Sequence, residues 1–396
     1  MAQMLYSSKV FFIFEYKQQK PMKKSFLIFL LIIICYLVWV SLGKTYNSPQ
    51  HLEVNNFESF GDSSNRANIV GFQTFMEAGD YATEQRFRQK IEAYFQQAQQ
   101  KNWLIQNKTI VVLPEYIGTW LVVMNEKSGI YEAKTMQSGL TTMVLSHVFD
   151  FLKNYLAAPS IDDKVKHAVF AMKAHEMADT YQKVFAQLAQ KYKVTVVAGS
   201  ILLPEPSVKN GKLEISTNGM LYNTSAVFYP NGKIDENLIK KAFPVSDEKP
   251  FVCAENTQNI PVFETPTGKL GVLICADAWY AAAYKTLKQK SAEMIVVPSY
   301  STGNGLWKQK WNGYSGFDSP EESKADIGKI TLGEAWQKYA MGMRAYYEAN
   351  IKKGLNVFLQ GTLWDLGTDG TTIILDDSTS KTTKHFGGSA IVNLWL

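Results

Sequence analysis

The chain has 396 residues, 46% of them hydrophobic and 19% charged. That is globular composition, long enough for one large or two ordinary domains, and it excludes a disordered or collagenous chain. Three cysteines are too few for a disulfide scaffold. The net charge is +5, yet residues 1–44 hold six lysines against one glutamate, so the rest carries 35 basic and 35 acidic residues. The basic character therefore belongs to the N-terminal segment, and a neutral body without clustered Lys and Arg argues against a nucleic-acid partner.

Residues 1–25 form a basic N-terminal segment containing Lys17, Lys20, Lys23 and Lys24. Residues 26–43 come next as an apolar segment, in which Phe26 to Leu42 is a 17-residue run without charge. Such a run is at the short end of what spans a bilayer. The lysines on its N-terminal side keep that end in the cytoplasm and export the body of the chain. The segment is read as an uncleaved transmembrane anchor with the body on the periplasmic or extracellular side. The alternative is a secretory signal cleaved after Ser41-Leu42-Gly43, with a body that begins at Lys44. Met22-Lys23-Lys24 also has the form of a true start.

Residues 44–66 are polar and read as a linker, leaving a body over 67–396. Asn68 to Phe75 has the look of a buried strand, and Glu84 to Lys101 of an amphipathic helix with Phe87, Ile91, Tyr94 and Phe95 on one face. Thr109 to Leu113 is a second apolar strand, closed by Pro114-Glu115. The stretch 119–163 is longer than an ordinary connection and reads as a functional insertion. Within it Thr141–Pro159 is apolar enough for a lid or an interfacial helix. His167 to Tyr192 is a long helix, and Val194 to Leu203 and Leu221 to Tyr229 are strands. Leu270 to Ile274 is a strand running into Cys275, and Met294 to Val297 precedes Pro298. Glu334 to Lys353 reads as one helix stopped by Gly354. Asn356 to Leu359 and Ser389 to Leu394 complete the strands. This alternation predicts an α/β body with sheet covered by helices.

No metal site is spelled out. His175-Glu176 has no second His at i+4, and His167 and His175 fall about 80° apart on a helix of 3.6 residues per turn. There is no cysteine pair at ligand spacing, phosphate-cradling glycine loop, dinucleotide fingerprint or GxSxG elbow. Cys275 is the better candidate, because it ends a strand, where α/β proteins place reactive groups. No His is placed to activate it, but a cation and a carboxylate base can generate a thiolate. Glu115 and Lys241 also lie at strand ends. Read without them, Cys275 is a small buried hydrophobe.

These segments fall into a familiar series. In order they are Gln73, Leu-Pro-Glu115, Ala-Gly199-Ser200, Tyr222-Asn223-Thr-Ser225, Pro230-Asn-Gly232, Lys241-Ala-Phe-Pro244, Cys275, Val296-Val-Pro298, Met341-Gly-Met-Arg344 and Phe386-Gly-Gly-Ser389. Over roughly residues 66–394 the chain resembles the nitrilase superfamily of carbon–nitrogen hydrolases. The resemblance implies a four-layer αββα sandwich, here preceded by one transmembrane helix, and a Glu–Lys–Cys triad at Glu115, Lys241 and Cys275. Lys241 stands three residues before Pro244 as the family pattern asks, whereas Lys240 stands four before it. Glu248, seven after Lys241, matches a second family glutamate. Cys-Ala-Asp departs from the Cys-x-Glu of many members and leaves the substrate group open.

The implied reaction is hydrolysis of a non-peptide C–N bond, an amide or a nitrile, through a thioester on Cys275. Glu115 is the general base and acid, and Lys241 and the Ala276 N–H stabilise the oxyanion. Glu248 orients Lys241 or the substrate, and Tyr116, Trp279 and Tyr280 line the pocket or pack beside it. Arg344 is read as structural. No cofactor is implied; the partners are a small-molecule or lipid-like amide, a membrane through the N-terminal segment and, from the resemblance alone, a second copy of the chain. Two other readings are transfer of the acyl group to an amine and a catalytically inactive, membrane-tethered binding module. A Cys253–Cys275 disulfide would abolish the chemistry, so these two are expected to be unbonded.

Overall fold

A computed structural model describes residues 22–65, 67–384 and 387–396. Lys17, Lys20 and Phe386 lie outside these described residues. The chain divides into two units, up to Leu42 and from Gly43 onward. In the first, helix α1 (Met22–Ser41) is long and apolar enough to cross a bilayer, a character that a signal sequence shares.

The second unit is built on two six-stranded sheets. In the first sheet, Asn68–Gln73, Thr109–Val112 and Thr195–Val197 run parallel, and Ala390–Trp395 pairs antiparallel with Asn68–Gln73. Their side chains alternate between two cores, as period-two geometry demands. Val70, Phe72, Val111 and Val196 point to one, Ile69, Ile110, Val112 and Val197 to the other. The outward core is closed by α2 (Glu84–Gln100) and the 29-residue α5 (Lys164–Tyr192). The inward core meets the second sheet, whose central strands are Gly268–Val272, Met294–Ser299 and Lys353–Phe358. The sheets approach so closely at Gly71 that a Cβ there would stand 2.9 Å from the Val357 side chain. Helices α6 (Ala281–Gln289), α7 (Leu332–Tyr339) and α8 (Met341–Ala349) pack on the same core. The layers are therefore helix, sheet, sheet, helix.

Several local expectations are corrected. Residues 44–66 are not only a linker: Asn56–Phe60 pairs parallel with Ala390–Trp395 and forms the sheet edge. The expected strands Val194–Leu203 and Leu221–Tyr229 each split. Thr195–Val197 and Val227–Phe228 stay in the first sheet, while Ile201–Pro204 and Leu221–Ser225 join Ile239–Lys240 in a small third sheet. Gly199, at φ +65°, makes the first break. The single helix 334–353 is two, broken at the extended Ala340, and Asn350 in the left-handed region ends the second. Gly354 lies inside a strand instead. After the short helical turn Ser128–Tyr131, the insertion 119–163 holds two longer helices, α3 (Met136–Ser146) and α4 (Val148–Ala157), meeting at His147. His147 and Lys173 of α5 both reach the buried Glu126, at 2.8 and 3.0 Å, and tie this junction to the body.

Candidate active site

Three strand ends converge between the sheets. The strand Thr109–Val112 runs out through Leu113-Pro114 to Glu115, Ile239–Lys240 delivers Lys241, and Gly268–Val272 leads to Cys275 at the head of a 3-10 turn. Two of these ends are held in strained backbone. Cys275 has φ 49° and Tyr116, beside Glu115, has φ 62°. Non-glycine residues adopt this region at a cost that surrounding contacts must hold in place. At Tyr116 the holding group is Ser200, whose Oγ accepts the Tyr116 N–H at 2.9 Å. The neighbouring Gly199 lets this happen, since a Cβ there would sit 2.1 Å from the Pro114 carbonyl oxygen.

Glu115, Lys241, Glu248 and Cys275 are brought together and are all buried. The Lys241 ammonium donates to Glu115 Oε1 at 2.9 Å and to Glu248 Oε2 at 2.7 Å. Glu115 Oε2 accepts the Tyr300 N–H at 3.0 Å, and its carboxyl acts electrostatically on the Cys275 thiol. The thiol lies 3.6 Å from the Tyr300 carbonyl. Lys240 turns away and covers the Tyr222 ring. Ala276, Trp279 and Tyr280 line the same cavity, and Tyr116 donates its hydroxyl to Glu248. Trp279 and Tyr280 also stack, against Trp311 and Phe243 respectively. Arg344 lies outside this cluster, bridging Glu322 and Glu348.

Electrostatics separate the two glutamates. Burial raises the pKa of Glu115; Lys241 opposes this and Glu248 adds to it, and the carboxyl ends above its ordinary value. Burial acts on Glu248 in the same sense, but Lys241 and hydrogen bonds from Tyr116 and the Val245 N–H outweigh it and hold the carboxyl below its ordinary value. Lys241 loses to burial and gains more from the two carboxylates, so it stays charged. Burial and the Glu115 charge push Cys275 up, which keeps the resting thiol neutral. The cluster thus holds one fixed ammonium, one fixed carboxylate and one proton that Glu115 and the thiol can share.

Two contributors were missed in the sequence. Asn223 donates to Glu115 at 2.8 Å and to Glu248 at 2.9 Å from one buried amide nitrogen. It stood within a quoted motif, but a buried role for an Asn in an alternating strand has no sequence signal. Asp277 accepts the N–H groups of Ala242, Phe243 and Ile274, at 2.9, 2.8 and 3.2 Å. One carboxylate therefore fastens the residues after Lys241 to the residue before Cys275. Its signal was position alone, two residues past the cysteine. All three cysteines are free thiols, and among the described residues no cluster of His, Cys, Asp and Glu could hold a metal.

A family profile described as carbon–nitrogen hydrolase matches residues 67–314, and the chain belongs to that family. It is 30% identical over 104 residues to the deaminated glutathione amidase of Dictyostelium discoideum, covering 23% of this chain and 35% of that protein. It is 30% identical over 135 residues to omega-amidase NIT2 of Xenopus tropicalis, covering 31% and 44%. The chain thus aligns with less than half the length of either relative. A mutant of the Nesterenkonia AN1 amidase from the nitrilase superfamily superposes with a TM-score of 0.50 at 14% identity, over 85% of this chain and 93% of that one. The fold is the nitrilase-type α/β fold, carried by a chain of the carbon–nitrogen hydrolase family.

Proposed function

We propose that this enzyme hydrolyses an amide through a covalent thioester on Cys275. The observation that carries the reading is the contact of one buried ammonium with two carboxylates of opposite tendency, one of them against a buried thiol. Cys275 Sγ attacks the carbonyl carbon as Glu115 takes the thiol proton. Lys241 and the Ala276 N–H face the oxygen that becomes negative. The C–N bond breaks as Glu115 returns the proton to the nitrogen, and the amine leaves. Water then enters and gives a proton to Glu115 as its oxygen bonds to the thioester carbon; the C–S bond breaks as Glu115 passes that proton to the sulfur, releasing the carboxylic acid and restoring the thiol. Glu248 holds Lys241 in place and charged, which makes it a positioning residue.

The apolar α1 and the lysines before it support an enzyme held at a membrane with its body on the exported side. Mass spectrometry of the protein mixed with an amide panel tests the chemistry. A transient adduct equal to the acyl mass is expected on the wild type and none on Cys275→Ala. Turnover that survives in Cys275→Ala overturns the reading. Product analysis with an added amine separates hydrolysis from acyl transfer, and protease protection in sealed vesicles tests the sidedness.

A further inference from the structure

The site opens into a cavity of about 1000 Å³, at the upper end of small-molecule pockets. Beyond the Glu–Lys–Cys cluster its wall is aliphatic and aromatic: Trp120, Leu140 and Val144 of α3, Val169 and Phe170 of α5, and Leu366. Most other polar lining residues, among them Gln137, Thr141, Lys166, Asp247, Thr302 and Ser315, are exposed, which places them at the rim. The wall then continues to the surface. Leu145 lines the cavity and is also exposed, and α4 beside it presents Phe149 and Leu156, 77% and 80% exposed, with Leu152 between them. Positions 149, 152 and 156 follow the three-and-four spacing of one face of α4.

Resting on the amidase reading above, we propose that the substrate is an amide of a long-chain aliphatic acid. Its acyl chain runs from Cys275 along the α3 and α5 wall toward the exposed face of α4. The chain belongs to the acyl half because that half stays attached to the sulfur while the amine departs and water enters. An apolar amine in the same space would have to leave that hydrophobic wall before water reached the thioester. Among the described residues the wall offers no buried cation beyond Lys241, so a carboxylate at the far end of the chain finds no partner in the depth of the cavity.

The test uses the full-length protein in detergent and the primary amides propionamide, hexanamide and nonanamide, with ammonia release as readout. Burying a methylene is worth about fourfold, so kcat/KM should rise on the order of 60-fold for each three-carbon step. Hexanamide should also exceed adipic acid monoamide. Leu140→Asn should lower the nonanamide-to-propionamide ratio, an internal ratio that loss of folded protein does not move. Calorimetric binding of the same amides to Cys275→Ala gives the chain-length trend without turnover. Propionamide turnover with a flat or falling trend overturns the long-chain assignment and leaves the amidase reading standing. Absence of turnover with every amide, alongside rising affinity in Cys275→Ala, overturns the amidase reading and leaves the acyl-chain pocket. A preference for the monoamide of adipic acid overturns the apolar assignment.

Discussion

Asp277→Asn is the most informative single change, because the carboxylate touches both halves of the site through backbone. Oδ1 accepts the Ala242 and Phe243 N–H groups and Oδ2 accepts that of Ile274. Asparagine keeps one acceptor oxygen, so two of the three bonds can survive while the third donor meets an amide nitrogen. Stranding one buried donor costs about 1–3 kcal/mol. Burial also pushes the Asp277 pKa from 3.8 up to about 7, against Lys241 and its three N–H donors. A raised acid pKa means that the folded state binds the proton more tightly. Its contribution to stability is full below the unfolded value and declines as pH rises from about 4 to 7. Between pH 5 and pH 8 the wild type should lose about 3 kcal/mol through this group, at 1.36 kcal/mol per pKa unit. Asparagine does not titrate, so the deficit of the variant should shrink by that amount over the interval. Denaturant melts at pH 5 and pH 8 measure it. At matched fold content kcat should fall about 10²-fold, the scale of a 1 Å misplacement. A deficit that grows with pH, or a kcat within twofold of wild type, would refute the fastening role.

Glu248→Gln removes a negative charge that raises Glu115, so the acid limb of kcat/KM should move to lower pH while the rate at its plateau falls; a shift to higher pH contradicts the assigned roles. Gly199→Ala places a methyl group 2.1 Å from the Pro114 oxygen at φ +65°. It should destabilise by at least the ~1–3 kcal/mol of such backbone strain, visible as a lower Tm, with loss of activity as the Glu115 loop moves. Thiol titration of the protein unfolded without reductant should count three free cysteines; a count of one would mean that Cys253 and Cys275 are bonded.

The parts legible in the sequence are those where one residue's neighbours along the chain carry the signal. Strand cores such as Ile110, Val111 and Val112 are apolar on both faces because both faces of the first sheet are buried. The ends at Glu115, Lys241 and Cys275 follow from the resemblance and from strand termini. What escaped was set by tertiary partners. The short strands of the third sheet exist because the chain leaves one sheet for another at Gly199 and at Ala226, and strand-forming residues on both sides of each point conceal such a transfer. The edge strand Asn56–Phe60 is polar and only partly buried, so its pairing with Ala390–Trp395 is written in the partner strand. Asn223 and Asp277 act through atoms that only folding brings near.

The charges at the site are a poor way to stabilise a fold. Two carboxylates and an ammonium withdrawn from water lose more hydration than their attraction returns unless hydrogen bonds complete every group. Here Tyr116, Asn223, the Val245 N–H and the Tyr300 N–H complete the carboxylates. The completion is uneven, and that unevenness is chemically useful. Glu248 receives donors enough to stay ionised, while Glu115 shares Lys241 and Asn223 with it and sits against an uncharged thiol. The least satisfied carboxylate is therefore the one beside the sulfur. In the proposed reaction, a proton moving from sulfur to Glu115 relieves the excess negative charge of the carboxylate pair as it creates the nucleophile, and Lys241 needs no change of state for this to occur. An arrangement built for stability alone would have placed the better-solvated carboxylate there.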